Sequence, residues 1–219
     1  MSTKVVVLLG ILCCVSASLA HAQLKYSLKA GMNLSRVRHQ SRWDKKDYGT
    51  MTSFHVGVSA TKDISKRFFL SGDFLISDKG FNEGSAVHLL YASIPVMANF
   101  KVIKKFSMGV GPEFGILIAP MGENDEFVKE VYSNRLDVGM SIDLQYSISP
   151  SFSLSARFVQ GFSNIIGREA NVRYYGFDHQ SGVLLSSDLR DAGFIQKNQC
   201  FQLSISYALR RKVPTLAKG

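Results

Sequence analysis

Phe201-Gln202-Leu203-Ser204-Ile205-Ser206-Tyr207-Ala208-Leu209 sets a large apolar side chain at every second position and a small or polar one between. Side chains alternate sides along an extended chain, so this run predicts a strand with one apolar and one polar face. Two earlier stretches repeat the pattern. Phe152, Leu154, Ala156 and Phe158 oppose Ser151, Ser153, Ser155 and Arg157. Leu136, Val138, Met140, Ile142, Leu144, Tyr146 and Ile148 oppose Asp137, Gly139, Ser141, Asp143, Gln145 and Ser147. Alternation sustained over a dozen residues is long for a soluble strand and suits one tilted through a bilayer.

Read back towards the N-terminus, the same pattern marks about eight segments, near 24–36, 52–62, 67–79, 88–102, 105–119, 132–148, 151–164 and 195–210. The connections alternate in length. Asp63-Ile64-Ser65-Lys66, Ile103-Lys104 and Ser149-Pro150 are tight, whereas 37–51, 80–87, 120–131 and 165–194 are long and polar. Short turns at one rim and long loops at the other predict an all-β fold, an antiparallel up-and-down transmembrane β-barrel of about eight strands, with its short turns in the periplasm. No helix of consequence is expected.

A soluble barrel would alternate too, so the faces must decide. The polar face of the fifth segment reads Ser107, Gly109, Gly111, Glu113, Gly115, small residues that fit a narrow interior better than a solvated surface. Tyr26, Phe68, Phe100, Phe106, Tyr146, Phe152 and Tyr207 fall on the apolar face beside the short turns, as an interfacial girdle does.

Three parts of the chain are expected: a signal peptide at 1–22, the barrel at 23–210 and a basic C-terminal tail at 211–219. Lys4, the apolar run Val5 to Val15 and the small-x-small site Ala20-His21-Ala22 have the order of a secretory leader, cut after Ala22. The run is too short to span a membrane as a helix. Leu12 before Cys13 is too bulky for lipoprotein cleavage, so Cys13 and Cys14 leave with the leader and Cys200 remains as a small, semi-buried side chain. One thiol makes no internal disulfide framework. The net charge of +9 and pI near 9.5 do not point to nucleic acid, because the bases share no helix and no stacking platform. Anionic lipid headgroups are the expected partner of that charge.

The segments Ala30-Gly31-Met32-Asn33-Leu34-Ser35, Ser77-Asp78-Lys79-Gly80, Leu90-Tyr91-Ala92-Ser93-Ile94-Pro95, Gly109-Val110-Gly111-Pro112-Glu113-Phe114-Gly115, Asp137-Val138-Gly139 and Gly161-Phe162-Ser163-Asn164-Ile165 follow one another along almost the whole chain. In that order they resemble the PorT-like outer-membrane β-barrel family of Bacteroidetes. The resemblance implies an outer-membrane barrel from that phylum and brings no catalytic or ligand residues with it. The family takes its name from a component of the type IX secretion system; the chain resembles the broad family rather than that component, and a role as an outer-membrane component of type IX-like protein secretion machinery stands as the alternative. The chain ends in Arg210-Arg211-Lys212 and a short tail rather than at an aromatic residue, which departs from many barrels read by the assembly machinery.

Lys29, Asp73, Lys101, Glu113, Asp137, Asp143 and Arg157 carry charge on the polar face, and a buried charge must be paired or hydrated. The expectation is a structural ion-pair network filling a closed lumen. Asp143 and Arg157 lie equally far from Pro150, so they are expected to face each other across that hairpin. His55 opposes Asp73 if the second hairpin turns at Ile64. A carboxylate beside a histidine is half of a hydrolase relay, but no nucleophile completes it, and a non-enzyme is expected. Glu123-Asn124-Asp125-Glu126 lacks the spacing of a calcium loop, and His39, His88 and His179 lie on separate loops, so no metal or cofactor is expected. Arg42 and Trp43 in the first long loop suit lipopolysaccharide phosphates. Arg173, Tyr174 and Tyr175 in the last loop suit a protein partner, since arginine and tyrosine anchor binding surfaces. Envelope or host molecules are the expected contacts of these loops.

Overall fold

The computed structural model describes residues 24–40, 49–82, 84–123, 125–167, 173–178, 183–188 and 195–209. In chain order it forms β1 (Lys25–Gln40), β2 (Met51–Asp63), β3 (Phe68–Asp78), β4 (Phe81–Asn82), β5 (Ala86–Ile103), β6 (Phe106–Met121), α1 (Asp125–Val131), β7 (Leu136–Ser147), β8 (Phe152–Gly161), β9 (Arg173–Asp178), β10 (Val183–Asp188) and β11 (Ile195–Leu209). The expected leader, the basic tail and loop residues Arg42 and Trp43 lie outside the described residues.

The wall is a ring of antiparallel neighbours in the order β1, β2, β3, β5, β6, β7, β8, β11, and β11 returns to β1. Eight strands therefore close on themselves, which satisfies every strand edge inside a bilayer where no water is on hand to do so. β4 adds only a two-residue pairing to the start of β5, and Gly84, at φ 81°, takes the left-handed conformation needed in that tight return. β9 and β10 pair with each other as a separate hairpin in the last long connection.

The period-two pattern sorts the two faces. Leu28, Met32, Phe54, Val58, Phe74, Val96, Val110, Ile142 and Leu203 point outward and are exposed, a continuous apolar belt for lipid. The seven girdle aromatics sit at the short-turn end of that belt. Phe68 meets Phe100 with ring centroids 5.1 Å apart, Phe152 meets Tyr207 at 5.0 Å, and Phe106 pairs in register with Tyr146. Inward positions carry mostly Ser, Gly, Asn, Gln and charged residues, with Leu75, Met97 and Val159 among them. Gly111 shows how little room there is, since a Cβ there would press on the carbonyl oxygen of Val96.

One element departs from expectation. The stretch read as a plain polar loop after β6 holds α1, seven residues long. Val128, Val131 and Tyr132 recur at helical spacing and are each 5% exposed, turned into the loop end of the barrel. They join Val37, Phe81, Val87, Leu89, Tyr91, Leu117 and Ile165 in one apolar cluster, with Phe81 and Tyr132 edge to face at 5.6 Å. β7 consequently starts at Leu136, four residues later than the alternation alone suggests.

Candidate functional site

Three layers of side chains fill the interior from the short-turn end to the loop end. At the short-turn mouth, Asp63 receives Lys25 at 2.5 Å and Lys101 at 2.9 Å, all three partly exposed. These residues line a shallow cavity of about 220 Å³ together with Phe69, Gln145 and Ser153. Lys101 was expected among the lumen pairs. It stands instead at the rim, because β5 runs to Ile103 and its last inward position has already left the enclosed part of the barrel.

The middle layer is closed and charged. Asp73 Oδ2 accepts from Lys29 Nζ at 2.9 Å and from Arg157 at 2.8 Å. Asp143 and Arg157 are direct partners in the β7–β8 register, yet their closest charged atoms are 3.6 Å apart. The guanidinium reaches across the lumen to Asp73 and keeps Asp143 as a second, looser neighbour. Glu113 accepts from Lys79 at 2.6 Å and from the Ser141 hydroxyl at 2.8 Å. Lys79 also lies 3.9 Å from Asp137, whose Oδ2 accepts from Asn198 at 2.9 Å. Asn198 in turn donates to the Tyr91 hydroxyl at 3.1 Å. Every charged side chain in this layer is at most 7% exposed. Charges so deprived of water persist only because each has an opposite charge in reach.

Lys79 is the functional side chain that sequence reasoning missed. It lies one residue past β3, but its backbone N–H still donates to Leu89 O, so the inward parity of Asp73, Leu75 and Ser77 carries on to it. That parity was present in the sequence.

His55 does not oppose Asp73. The β2–β3 turn centres beyond Ile64, so His55 pairs with Ser77 and Ser59 faces Asp73. The imidazole has other partners. Asn33 Nδ2 donates to the carbonyl oxygens of Asp78 at 2.7 Å and Phe54 at 3.1 Å, which leaves Oδ1 as acceptor for Gln202 at 3.0 Å and for His55 Nδ1 at 2.7 Å. The proton is thus on Nδ1, and Nε2 accepts the Ser204 hydroxyl at 2.8 Å. Gly31 makes the space for this ring, since a Cβ there would lie 2.7 Å from His55 Cε1. Serine, histidine and asparagine stand in relay order, but His55 is 1% and Ser204 6% exposed, and neither lines the cavity at the mouth. What the arrangement does is lock four strands, β1, β2, β3 and β11, to one another.

On the same inner face Cys200 is buried to 1% exposure beside this network. Among the described residues no three metal-binding side chains gather. Above the charged layer lies the apolar cluster closed by α1. Of the expected loop contacts, Arg173, Tyr174 and Tyr175 lie on β9, paired with Asp188, Ser187 and Ser186 of β10.

Residues 17–167 match a family model described as an outer membrane protein beta-barrel domain. Solved structures with the same architecture include Ail of Yersinia pestis, in complex with the heparin analogue sucrose octasulfate, at 13% identity and a TM-score of 0.44, over 85% of this chain and 99% of that one. OprG of Pseudomonas aeruginosa is 10% identical with a TM-score of 0.47, over 87% of this chain and 98% of that one. Outer membrane protein W of E. coli is 11% identical with a TM-score of 0.38, over 86% of this chain and 100% of that one. No curated protein matches the sequence.

Proposed function

Because the chain belongs to the outer membrane protein β-barrel domain family, we propose that it is a non-catalytic barrel whose sealed lumen is structural and whose loops make its contacts with envelope or host molecules. The membrane it occupies is the outer membrane, entered after a leader is cut behind Ala22. The observation that carries the reading is the middle layer, where Lys29, Lys79 and Arg157 occupy the bore with Asp73, Glu113, Asp137 and Asp143, three cations shared among four carboxylates. An ion crossing there would have to break pairs held in a water-poor interior, each worth several kcal/mol to disrupt, on the order of 3–5. A barrel of about eight strands offers no bypass. Activity then falls to the surface, and the arginine and tyrosine residues Arg42, Trp43, Arg173, Tyr174 and Tyr175 are its candidates for contact with lipopolysaccharide or protein. Membership in the PorT-like branch agrees with the ordered motifs of the sequence.

Planar-bilayer recording of the refolded protein tests the seal. No stable conductance steps are expected from wild type, and steady ohmic steps from wild type would refute a structural lumen. Orientation is tested on whole cells. Cysteine at Ser149 should resist an impermeant reagent until the outer membrane is opened, and cysteine at Ser181 should react at once.

A further inference from the structure

Two of the short turns are built alike but charged differently. In the β2–β3 turn the amides of Ile64 and Ser65 both donate to Phe68 O at 2.9 Å, while Ser65 Oγ accepts from Arg67 N at 3.3 Å and Phe68 N at 3.0 Å. In the β7–β8 turn the amides of Ile148 and Ser149 donate to Phe152 O at 3.0 and 3.1 Å, while Ser149 Oγ accepts from Ser151 N at 3.2 Å and Phe152 N at 3.1 Å. Isoleucine, serine and phenylalanine recur at the same places. Only the two central residues differ, Lys66-Arg67 in one turn and Pro150-Ser151 in the other. The second turn shows that the geometry needs no charge, so Lys66 and Arg67 are surplus to the fold.

The charged turn has a charged neighbour. Lys101 N donates to Arg67 O at 2.8 Å, which fastens the β2–β3 turn to the β5–β6 turn bearing Lys104 and Lys105. Lys66, Arg67, Lys104 and Lys105 are all exposed. Among the described residues none of the four has a carboxylate partner, and Asp63, the one acid in these two turns, is held by Lys25 and Lys101. Exposed Ile64, Val102 and Ile103 stand among the cations, next to the girdle pair Phe68 and Phe100. Cations over a ledge of aliphatic and aromatic side chains, at the edge of the lipid belt, match a molecule with an anionic head and apolar chains.

We propose that the β2–β3 and β5–β6 turns together bind the phosphate headgroup of an anionic phospholipid in the leaflet that meets the short-turn rim. The site occupies one sector of that rim, since the β7–β8 turn presents only serine, proline and isoleucine to the same depth. It rests on the outer-membrane placement and not on the sealed lumen or the loops.

The test uses the full-length barrel in nanodiscs of phosphatidylcholine with a minor fraction of phosphatidylglycerol, which carry the same lipids on both faces and so do not depend on orientation in the cell. Native mass spectrometry after release counts the lipids retained. Wild type should keep phosphatidylglycerol in preference to phosphatidylcholine. Each cation near an anionic surface contributes roughly a five-fold factor, so the turn swap Lys66→Pro with Arg67→Ser should lower the preference about twenty-five-fold. Adding Lys104→Gln and Lys105→Gln should abolish it, and the swap alone decides the matter if the fourfold variant does not fold. An undiminished preference in a folded variant overturns the proposal. So does full displacement of the lipid by equimolar inorganic phosphate, which would make the site a receptor for a free anion.

Discussion

The middle of the barrel and its loop end are enclosed by the same strands, yet they are filled by opposite chemistries. Along the inner face of β5, Asn99, Met97, Pro95 and Ser93 give way to the wholly apolar and aromatic run Tyr91, Leu89 and Val87. Along β6, Glu113 and Gly115 give way to Leu117. In the middle, lipid covers the outside, and the inside is polar and held by charge. At the loop end the interior is a small apolar core under α1, such as a soluble protein would build. Tyr91 sits at the change of regime, its ring in the apolar cluster and its hydroxyl accepting from Asn198 of the polar network. The two regions are therefore stabilised differently: one fails when a charge loses its partner, the other when a void is opened.

Substitutions at the two levels should separate these failures. Asp73→Ala takes the carboxylate from Lys29, leaves Arg157 only the looser Asp143, and should cost the most, roughly 3–5 kcal/mol, read as a lower urea midpoint and loss of the heat-dependent gel shift. Asp73→Asn should fall between it and wild type. Phe81→Ala empties the centre of the apolar cluster at about 3 kcal/mol, but locally. Limited proteolysis should then cut near α1 while a heat-modifiable barrel survives. Global unfolding by Phe81→Ala, or selective cleavage near α1 by Asp73→Ala, would erase the distinction between the regions. A double-mutant cycle on Asp143 and Arg157 should give a smaller coupling, about 1 kcal/mol, because Asp73 is the closer partner of the guanidinium. Strict additivity would remove Asp143 from the network altogether. The turn swap at Lys66 and Arg67 touches neither region and should leave stability within about 0.5 kcal/mol of wild type.

The sequence was most legible where lipid and lumen impose opposite demands. From Leu136 to Ile148 and from Phe201 to Leu209 one face must be apolar and the other polar, so parity alone assigned every side chain. It became ambiguous where both faces are apolar. Leu89, Leu90, Tyr91 and Ala92 carry no alternation, and the apolar cluster that takes half of them was not foreseen. α1 was not legible because Val128, Val131 and Tyr132 directly follow the polar run Glu123-Asn124-Asp125-Glu126, and seven residues give barely two turns of periodicity. The opposition of Asp143 and Arg157 followed from counting about Pro150, whereas the choice of Asp73 as the nearer partner crosses from β8 to β3. No count along a single hairpin contains that contact. His55 was misplaced for a smaller reason, a turn centred two residues later than assumed, which moves its partner from Asp73 to Ser77.

Cys200 gives the molecule a clock of its own. Its thiol faces inward at 1% exposure, so an alkylating reagent reaches it only in the moments when β11 parts from its neighbours. β11 is also the strand that closes the ring against β1. The rate at which Cys200 is consumed in the native protein therefore measures how often the last seam opens, and the same reaction followed during refolding marks the instant at which that seam is sewn.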